Sequence, residues 1–300
     1  MDQYKTDKML AKALYGKVLL CTDKKTKDVV VIKRIQLDAA KKRKALVGGV
    51  KVVEDAEMEK RVYRALRDAG GHPNVLQMSK DFVDGGFDHF VLEHCVRGEL
   101  FMELEAQPDH RLSAARTQEC FSQIVHGLAF MHEQGFAHGD LSLENVFVTK
   151  NGTCKLGDFG LASDMKALKR QCAGKFFYMA PEMYMGLEYD PAAADVWSLG
   201  IVLFMMVTGT PLFDRATPAD AGFRFMKSKG LRGICDEYGL IVSSDVMELL
   251  EQMLQVQPCD RLTLAQVRDH SFVLAAAAAE DKLTSLMRQC SITSVVARGA

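Results

Sequence analysis

Short apolar runs separated by polar turns fill roughly the first third of the chain. Residues 18–21, 29–32 and 90–92 are β-branched or otherwise apolar, and polar residues bound each run. This pattern predicts β-strands. From residue 57 to residue 66 the apolar side chains instead recur close to helical spacing, and a glycine pair follows. We therefore predict one helix among the strands.

After residue 97 the apolar positions follow long helical patterns. These patterns cover residues 114–134, 195–208, 243–254 and 264–270. Several helices with apolar faces in one stretch of chain predict a second packed unit, which is mostly helical.

Together the two patterns predict an α+β fold with two lobes. The first lobe is small and strand-rich with one main helix, and the second is larger and mostly helical. We assign residues 1–94 to the first lobe, residues 95–273 to the second, and residues 274–300 to a low-complexity tail that contains five consecutive alanines.

The composition is that of an ordinary globular chain, with 48% hydrophobic and 26% charged residues. It excludes a disordered chain, a coiled coil and a collagen-like chain. The formal net charge of -1 gives no argument for binding nucleic acid or an anionic membrane. We expect neither partner, and we expect a monomer.

The cellular compartment is predicted from three absences. The longest apolar run, residues 199–207, is shorter than a membrane span and predicts a buried helix. The N-terminus has no apolar signal segment. The eight cysteines form no C-x-x-C pair and no zinc-finger spacing, which favours free thiols in a reducing compartment. We expect the cytosol or the nucleus. The basic run at 41–44 predicts either a solvated loop or a nuclear-import or phosphate-binding patch.

Lys33 ends an apolar strand pattern and is a candidate for holding a polyanion. A lysine at the inner edge of a strand can do so if a carboxylate keeps it in position. Glu59, on the helix that follows, is the first candidate for that carboxylate because it shares a helix face with Tyr63. Glu57 and Glu54 remain alternatives.

Two short segments of the second lobe carry further chemistry. In the segment 138–145, Asp140 and Asn145 stand five residues apart before an apolar run, where they can place a base near a hydroxyl and an amide oxygen on a metal. Asp158 precedes Phe159 and Gly160, and an aspartate in such a turn can bind Mg²⁺.

The ordered set of these pieces is more specific than any one of them. Lys33, Glu59, the segments 138–145 and 158–160, and Ala-Pro-Glu at 180–182 resemble the eukaryotic protein kinase family. The resemblance covers roughly residues 8 to 273. It implies a bilobal protein-kinase-like fold that uses ATP and Mg²⁺ and phosphorylates a protein substrate.

The resemblance also implies roles for individual residues. Lys33 would contact the α- and β-phosphates and pair with Glu59. Asp140 would accept or orient the proton of the substrate hydroxyl, while Asn145 and Asp158 would hold two Mg²⁺ ions. The further residues of the candidate binding cleft are Leu10, Val18, Val31, the gatekeeper Leu92, the hinge residues Glu93 and Cys95, and Glu99, Glu144 and Phe147.

Two departures from the family concern the nucleotide. Ala11 and Ala13 replace two glycines of the family's glycine-rich loop, and only Gly16 is retained. The added methyl groups restrict the backbone near the phosphates, so we expect weaker nucleotide binding rather than its loss. Val31 and Phe147 predict a more crowded adenine slot than the family usually has.

A third departure concerns activation. Gly139 replaces the arginine of the family's H-R-D motif, which usually pairs with a phosphorylated activation segment. The segment 158–182 contains Ser163 and no threonine. We therefore expect activity that does not need phosphorylation of this segment.

Ser142 and Lys175 form a reciprocal pair of departures. Serine/threonine kinases carry a lysine two residues after the catalytic aspartate, where this chain has Ser142, and a threonine where it has Lys175. The exchange can return the same ammonium and hydroxyl to the catalytic aspartate from opposite backbones. This hypothesis places Ser142 and Lys175 in the candidate catalytic set with Asp140 and Lys33.

Two functions remain open at this level. The first is an active serine/threonine kinase, and Glu99 and Glu144 match positions that favour basic residues near the acceptor. Ser142 removes the usual serine/threonine marker, so tyrosine specificity stays an alternative. The second is a pseudokinase that acts as a scaffold or allosteric partner, which the altered glycine-rich loop and Gly139 favour.

Overall fold

The computed structural model describes residues 1–276. The N-terminal part is built on an antiparallel sheet of five strands. Their order across the sheet is β1-β2-β3-β5-β4. Alternating burial along β2 places Leu19 and Cys21 on a buried face. On β3, Ile32 and Ile35 are three positions apart and therefore face opposite sides of the sheet, where each packs into a different apolar cluster. The strands are β1 Tyr4–Ala13, β2 Gly16–Asp23, β3 Val29–Gln36, β4 Met78–Asp84 and β5 Phe87–Glu93.

Two helices cross from β3 to β4. They are α1 Leu37–Lys42 and α2 Ala56–Asp68. Asp55 caps α2, since its side chain accepts hydrogen bonds from the backbone of Glu57 and Met58. The helix buries one face, which carries Glu59 and Tyr63, and this orientation fixes Glu59 beneath the sheet.

The C-terminal part is mostly helical, with short strands between the helices. Its helices are α3 Leu100–Glu105, α4 Ala114–Glu133, α5 Pro191–Thr208, α6 Ala221–Tyr238, α7 Ser244–Met253 and α8 Leu264–Arg268. Its strands are β6 Gly98–Glu99, β7 Phe136–Ala137, β8 Val146–Val148, β9 Cys154–Leu156 and β10 Ser163–Asp164, and short 3₁₀ turns cover Leu143–Asn145, Pro181–Tyr184 and Pro258–Asp260.

Helix α5 forms the centre of this helical part. Within residues 1–276 it is the one helix long and apolar enough to cross a membrane, and 78% of that stretch is buried inside the fold, as in a core helix. Its buried Asp195 accepts hydrogen bonds from the backbone N–H groups of His138 and Gly139, at 2.7 and 2.9 Å. Because burial of a carboxylate is costly without such partners, these bonds fix the loop that follows β7.

The structure confirms the predicted strands and helices and the order of a strand-rich part before a helical part. It corrects one expectation: the basic run at 41–44 is not simply a loop, because Lys41 and Lys42 end α1 and Arg43 caps it. Helix α6 and strands β1 and β4 were not predicted. The seven cysteines within the described residues are free. The lobe boundary after residue 94 stays a prediction, and most of the predicted tail, residues 277–300, lies outside the described residues.

Candidate active site

A cleft of about 1110 Å³ separates the sheet from the helical part. Its walls contain most of the residues that the sequence selected, and only Asp140 and Ser142 of that set lie outside its lining. The selected residues that line it are Leu10, Val18, Val31, Lys33, Glu59, Leu92, Glu93, Cys95, Glu99, Glu144, Asn145, Phe147, Asp158 and Lys175.

Lys33 lies between two carboxylates at the inner end of the cleft. Its Nζ is 2.7 and 2.9 Å from the two carboxylate oxygens of Glu59 and 2.9 Å from Oδ1 of Asp158. Burial acts to lower the pKa of Lys33, but Asp158 and Glu59 outweigh it and raise the pKa well above its usual value. Burial raises the pKa of Glu59 to about 7, while Lys33 lowers the pKa of Asp158. Of the three acids considered beside Lys33, the structure selects Glu59.

Asp140 is the centre of a second network. Its Oδ2 accepts a hydrogen bond from the Asn145 side chain at 2.9 Å, and its Oδ1 accepts one from the backbone N–H of Lys175 at 3.1 Å. The Lys175 ammonium lies 2.7 Å from Oγ of Ser142 and 3.6 Å from Oδ2 of Asp140. The contact of Lys175 with both Ser142 and Asp140 is the geometry that the reciprocal exchange requires.

The floor of the cleft shows how the structure accommodates Phe147. A β-carbon added at Gly157 would lie 3.0 Å from Cε2 of Phe147 and 2.9 Å from Leu76. The ring therefore occupies space that any other residue at 157 would need. Part of the Phe147 ring therefore lies below the cleft and does not fill the predicted adenine slot. An apolar slot of nucleotide size remains.

The end of β5 and the residues that follow it form the back of the cleft. The backbone N–H of Glu93 donates to Gln77 O at 3.0 Å, and its carboxylate pairs with Lys155 at 2.9 Å. Within residues 1–276 the backbone N–H of Cys95 has no acceptor, so it is free to bind a ligand. Burial raises the pKa of the Cys95 thiol to about 12, so this cysteine is an uncharged wall residue.

The roof of the cleft is the hairpin formed by β1 and β2. Gly16 is required there, because a β-carbon would lie 1.8 Å from Arg34 O of the next strand. The tip is fixed to the segment before α2: the Tyr15 hydroxyl donates to Glu54 O at 2.6 Å, and Leu46 N–H donates to Leu14 O at 2.8 Å. Sequence reasoning did not identify these tethers, since no motif marks them.

Gly139 makes room for a lysine from the following segment. It has a φ of 75°, and a β-carbon there would lie 2.4 Å from Leu161 O and 3.5 Å from the Lys169 ammonium. Lys169 Nζ donates to Leu161 O at 2.9 Å, and its backbone pairs with Tyr189. Burial lowers the pKa of Lys169, and Asp195 opposes that shift. Sequence analysis missed Lys169 because it belongs to no motif.

Aromatic packing connects the two networks. The Phe159 ring lies 4.6 Å from the Tyr63 ring and 5.6 Å from the His138 ring, between centroids. His138 is fully buried, and burial lowers its pKa. This stack joins α2 of the first part to the loop of Asp140, as a packing role for His138 requires. The buried pair Glu182–Arg261, at 2.8 Å, holds the end of the segment that carries Lys175.

Chemically, the cleft can bind a polyphosphate and activate a hydroxyl. Lys33 offers a positive charge, and Asp158 and the amide oxygen of Asn145 are hard oxygen donors of the kind Mg²⁺ prefers. Asp140 is placed as a proton acceptor beside them. The donor set and the apolar slot therefore fit a nucleotide with Mg²⁺.

Comparison with known proteins shows the family to which the chain belongs. The protein kinase domain family matches residues 4–273. An Aurora kinase of Yarrowia lipolytica is 30% identical over 91% of this chain and 69% of its own length. CBL-interacting serine/threonine-protein kinase 12 of Arabidopsis thaliana is 29% identical over 91% of this chain.

Serine/threonine-protein kinase SAPK3 of Oryza sativa subsp. indica is 28% identical over 91% of this chain and 78% of its own length. The chain spans about half of the Arabidopsis relative, 53% of its length. The family match covers nearly the whole chain, both the strand-rich part and the helical part. This match is sufficient to assign the chain to a family. The chain belongs to the protein kinase family, and these relatives are named as protein kinases.

Proposed function

We propose that this protein transfers the γ-phosphate of ATP to a serine or threonine hydroxyl of a protein substrate. The observation that carries the proposal is that the two charged networks of the cleft are complete together. Lys33 is held by Glu59 and Asp158, and Asp140 is held by Asn145 and Lys175. A site with a purely structural role would not need both.

The geometry supports a transfer in which the protein mainly positions charge. Asp140 takes the proton of the acceptor hydroxyl as its oxygen attacks the γ-phosphorus, and the bond to the bridging oxygen breaks to release ADP. Lys33 orients the α- and β-phosphates, and Lys175 places a positive charge beside Asp140. Asn145 and Asp158 would hold Mg²⁺, which supplies positive charge to the transferring group when bound.

We further propose that the activation segment is ordered without phosphorylation. Lys169 already bonds Leu161 O from within that segment, in the space that Gly139 leaves open. Ser163, the one serine of the segment, is buried in β10 and poorly placed for modification. The contacts that a phosphate would otherwise create are replaced by an internal lysine.

The cleft mouth favours a substrate with basic residues. Glu99 and Glu144 both line it, and neither forms an ion pair within the part of the chain that the structure describes. Burial raises the pKa of Glu99, and the charge of Glu144 raises it further, so the two carboxylates repel each other. A guanidinium from a substrate would relieve that repulsion.

The test is transfer of labelled γ-phosphate from Mg-ATP to a pool of basic peptides with serine, threonine or tyrosine acceptors. Asp140→Asn, checked for an unchanged melting temperature, is the matched inactive variant. Transfer that disappears in this variant supports the proposal, and the labelled residue type decides the specificity. Transfer no higher than in the variant refutes it and favours a pseudokinase that acts by binding.

A further inference from the structure

We propose that Arg61 is a positioning residue, which fixes helix α2 to the activation segment through Asp164 and so holds Glu59 against Lys33. The inference rests on the proposed function in one respect, that the Lys33–Glu59 pair serves a bound nucleotide. It goes beyond that function by adding a charged contact between the two parts of the fold, to which neither the motifs nor the comparisons assign a role.

Arg61 contacts both strands of a short ladder in the C-terminal part. Its Nη1 and Nη2 donate to the two carboxylate oxygens of Asp164 at 3.0 and 2.7 Å. Its guanidinium also lies 5.3 Å from the centre of the Phe136 ring. Phe136 and Asp164 lie opposite each other in the pairing of β7 with β10. Because the loop that carries Asp140 follows β7 directly, this contact joins α2 to the support of the catalytic loop.

The neighbouring charged side chains of α2 pair with the sheet instead. Lys60 pairs with Asp88 of β5 at 2.7 Å, and Arg64 forms a bidentate pair with Asp81 of β4. Of the ion pairs that α2 forms within residues 1–276, the pair with Asp164 is the one that reaches the C-terminal part. Without it, α2 would stay attached to the sheet, and its direct contacts with the C-terminal part would be uncharged.

Those uncharged contacts leave the helix free to rotate. One is the packing of Tyr63 on Phe159, and the other is a hydrogen bond from Asp55 N–H, at the start of the helix, to Gly160 O at 2.9 Å. Apolar packing is not directional, and a single hydrogen bond constrains only one end of the helix. A bidentate pair between a guanidinium and a carboxylate has a fixed planar geometry, so it also fixes the orientation of the helix.

The consequence of losing this orientation falls on Glu59, which lies two residues before Arg61 on the same helix. Glu59 is 2% exposed, and a buried carboxylate depends on its partner for stabilisation. Rotation of α2 would lengthen the 2.7 Å contact between Glu59 and Lys33. Lys33 would then lose the carboxylate that directs it toward the phosphates, so the effect of Arg61 passes through Glu59.

The test is calorimetric titration of the purified chain with Mg-ADP, which requires no phosphate transfer. We compare Arg61→Ala with Arg64→Ala, since Arg64 forms the same kind of pair from the same helix, but with the sheet. The two arginine side chains are similarly exposed, at 55% and 50%, and melting curves show that both variants are folded at the assay temperature. We expect Arg61→Ala to weaken Mg-ADP binding about fivefold, at the upper end for an exposed ion pair, and Arg64→Ala to change it by less than about twofold.

Two double variants separate positioning from a general loss of stability. Arg61→Asp with Asp164→Arg restores a pair of opposite charges and should bind Mg-ADP within about twofold of wild type. Arg61→Asp alone should bind more weakly than Arg61→Ala, because two carboxylates then face each other. In a Glu59→Gln background, Arg61→Ala should cause no further loss, since the residue through which it acts has already been changed.

Equal losses in Arg61→Ala and Arg64→Ala overturn the proposal. So does a charge exchange that binds no better than Arg61→Asp, or an undiminished loss in the Glu59→Gln background. A wild type that transfers phosphate while Arg61→Ala binds Mg-ADP normally refutes the role of Arg61 alone. A chain that shows the expected binding pattern but transfers no phosphate keeps that role and refutes the proposed catalytic function.

Discussion

Exchange of Ser142 and Lys175 is the sharpest test of the catalytic site. Lys175→Thr removes an ammonium that lies 3.6 Å from Oδ2 of Asp140 and 2.7 Å from Oγ of Ser142. We expect this variant to lose most of its activity. Adding Ser142→Lys to it returns an ammonium and a hydroxyl to Asp140 from the opposite backbones, so the double variant should recover.

The size of the effect follows from the distances. Unit charges about 4 Å apart attract by about 4 kcal/mol at an effective dielectric constant of about 20. The Lys175 side chain is 35% exposed, so solvent reduces this value, and we expect the loss to be closer to the roughly 2 kcal/mol typical of a hydrogen bond to a charged group. That corresponds to a roughly thirtyfold lower kcat for Lys175→Thr. The double variant should lie within a few-fold of wild type.

The assay is the initial rate of peptide phosphorylation at saturating Mg-ATP for the four members of the cycle. Lys166→Thr is a matched control, since it removes an exposed lysine of the same segment. Ser142→Lys alone should also be impaired, because two ammonium groups then crowd Asp140. A double variant no faster than Lys175→Thr would refute the exchange, since the two substitutions would then act independently.

Three further predictions concern other contacts of the cleft. Gly157→Ala should push Phe147 toward the adenine slot and weaken adenosine binding by about 1–3 kcal/mol, measured by titration; unchanged affinity would show that the floor can relax. Lys169→Met should speed hydrogen exchange across 161–175 and lower kcat, whereas Lys166→Met should do neither. Because burial raises the pKa of Glu59 to about 7, protonation should weaken its pair with Lys33 as pH falls from 8 to 6. Mg-ATP affinity should fall over that interval, and Glu59→Gln should show a flatter pH dependence.

The ion pairs of the site were predictable because each lies in a pattern with physical content. Lys33 lies in β3 two residues after Val31 and therefore on the same face of the sheet, and Glu59 lies on the buried face of the next amphipathic helix. These two periodicities decide which side chains face each other when the helix packs under the sheet. Asp140 and Asn145 are close in sequence, so one short loop is enough to bring them together.

Elements whose apolar residues follow no regular spacing were not predicted. Helix α6 carries glycines at 222, 230 and 233, and Gly230 adopts a non-helical backbone with φ of 73° and ψ of 177°. The residue pattern is therefore interrupted where the helix bends. The run at 41–44 looked like a loop from its charge, but α1 ends within it and its charge lies on an exposed turn. Charge alone does not distinguish a helix end from a loop.

Contacts between distant residues were the least predictable part of the site. Lys169 and Gly139 lie 30 positions apart, and the pocket that joins them is closed by Leu161 O. Nothing in the spacing of a lone lysine indicates that it will be half-buried, as Lys169 is, because most lysines are exposed. Only the packed structure shows that the space left by glycine is filled.

The departures from the family pattern are easier to understand in pairs than singly. Phe147 is large where Gly157 is small, the Lys175 ammonium contacts Oγ of Ser142, and Lys169 fills the space beside Gly139. In each case the structure restores a packed or charged contact that one substitution alone would remove. The roof differs, because Ala11 and Ala13 have no compensation in the backbone.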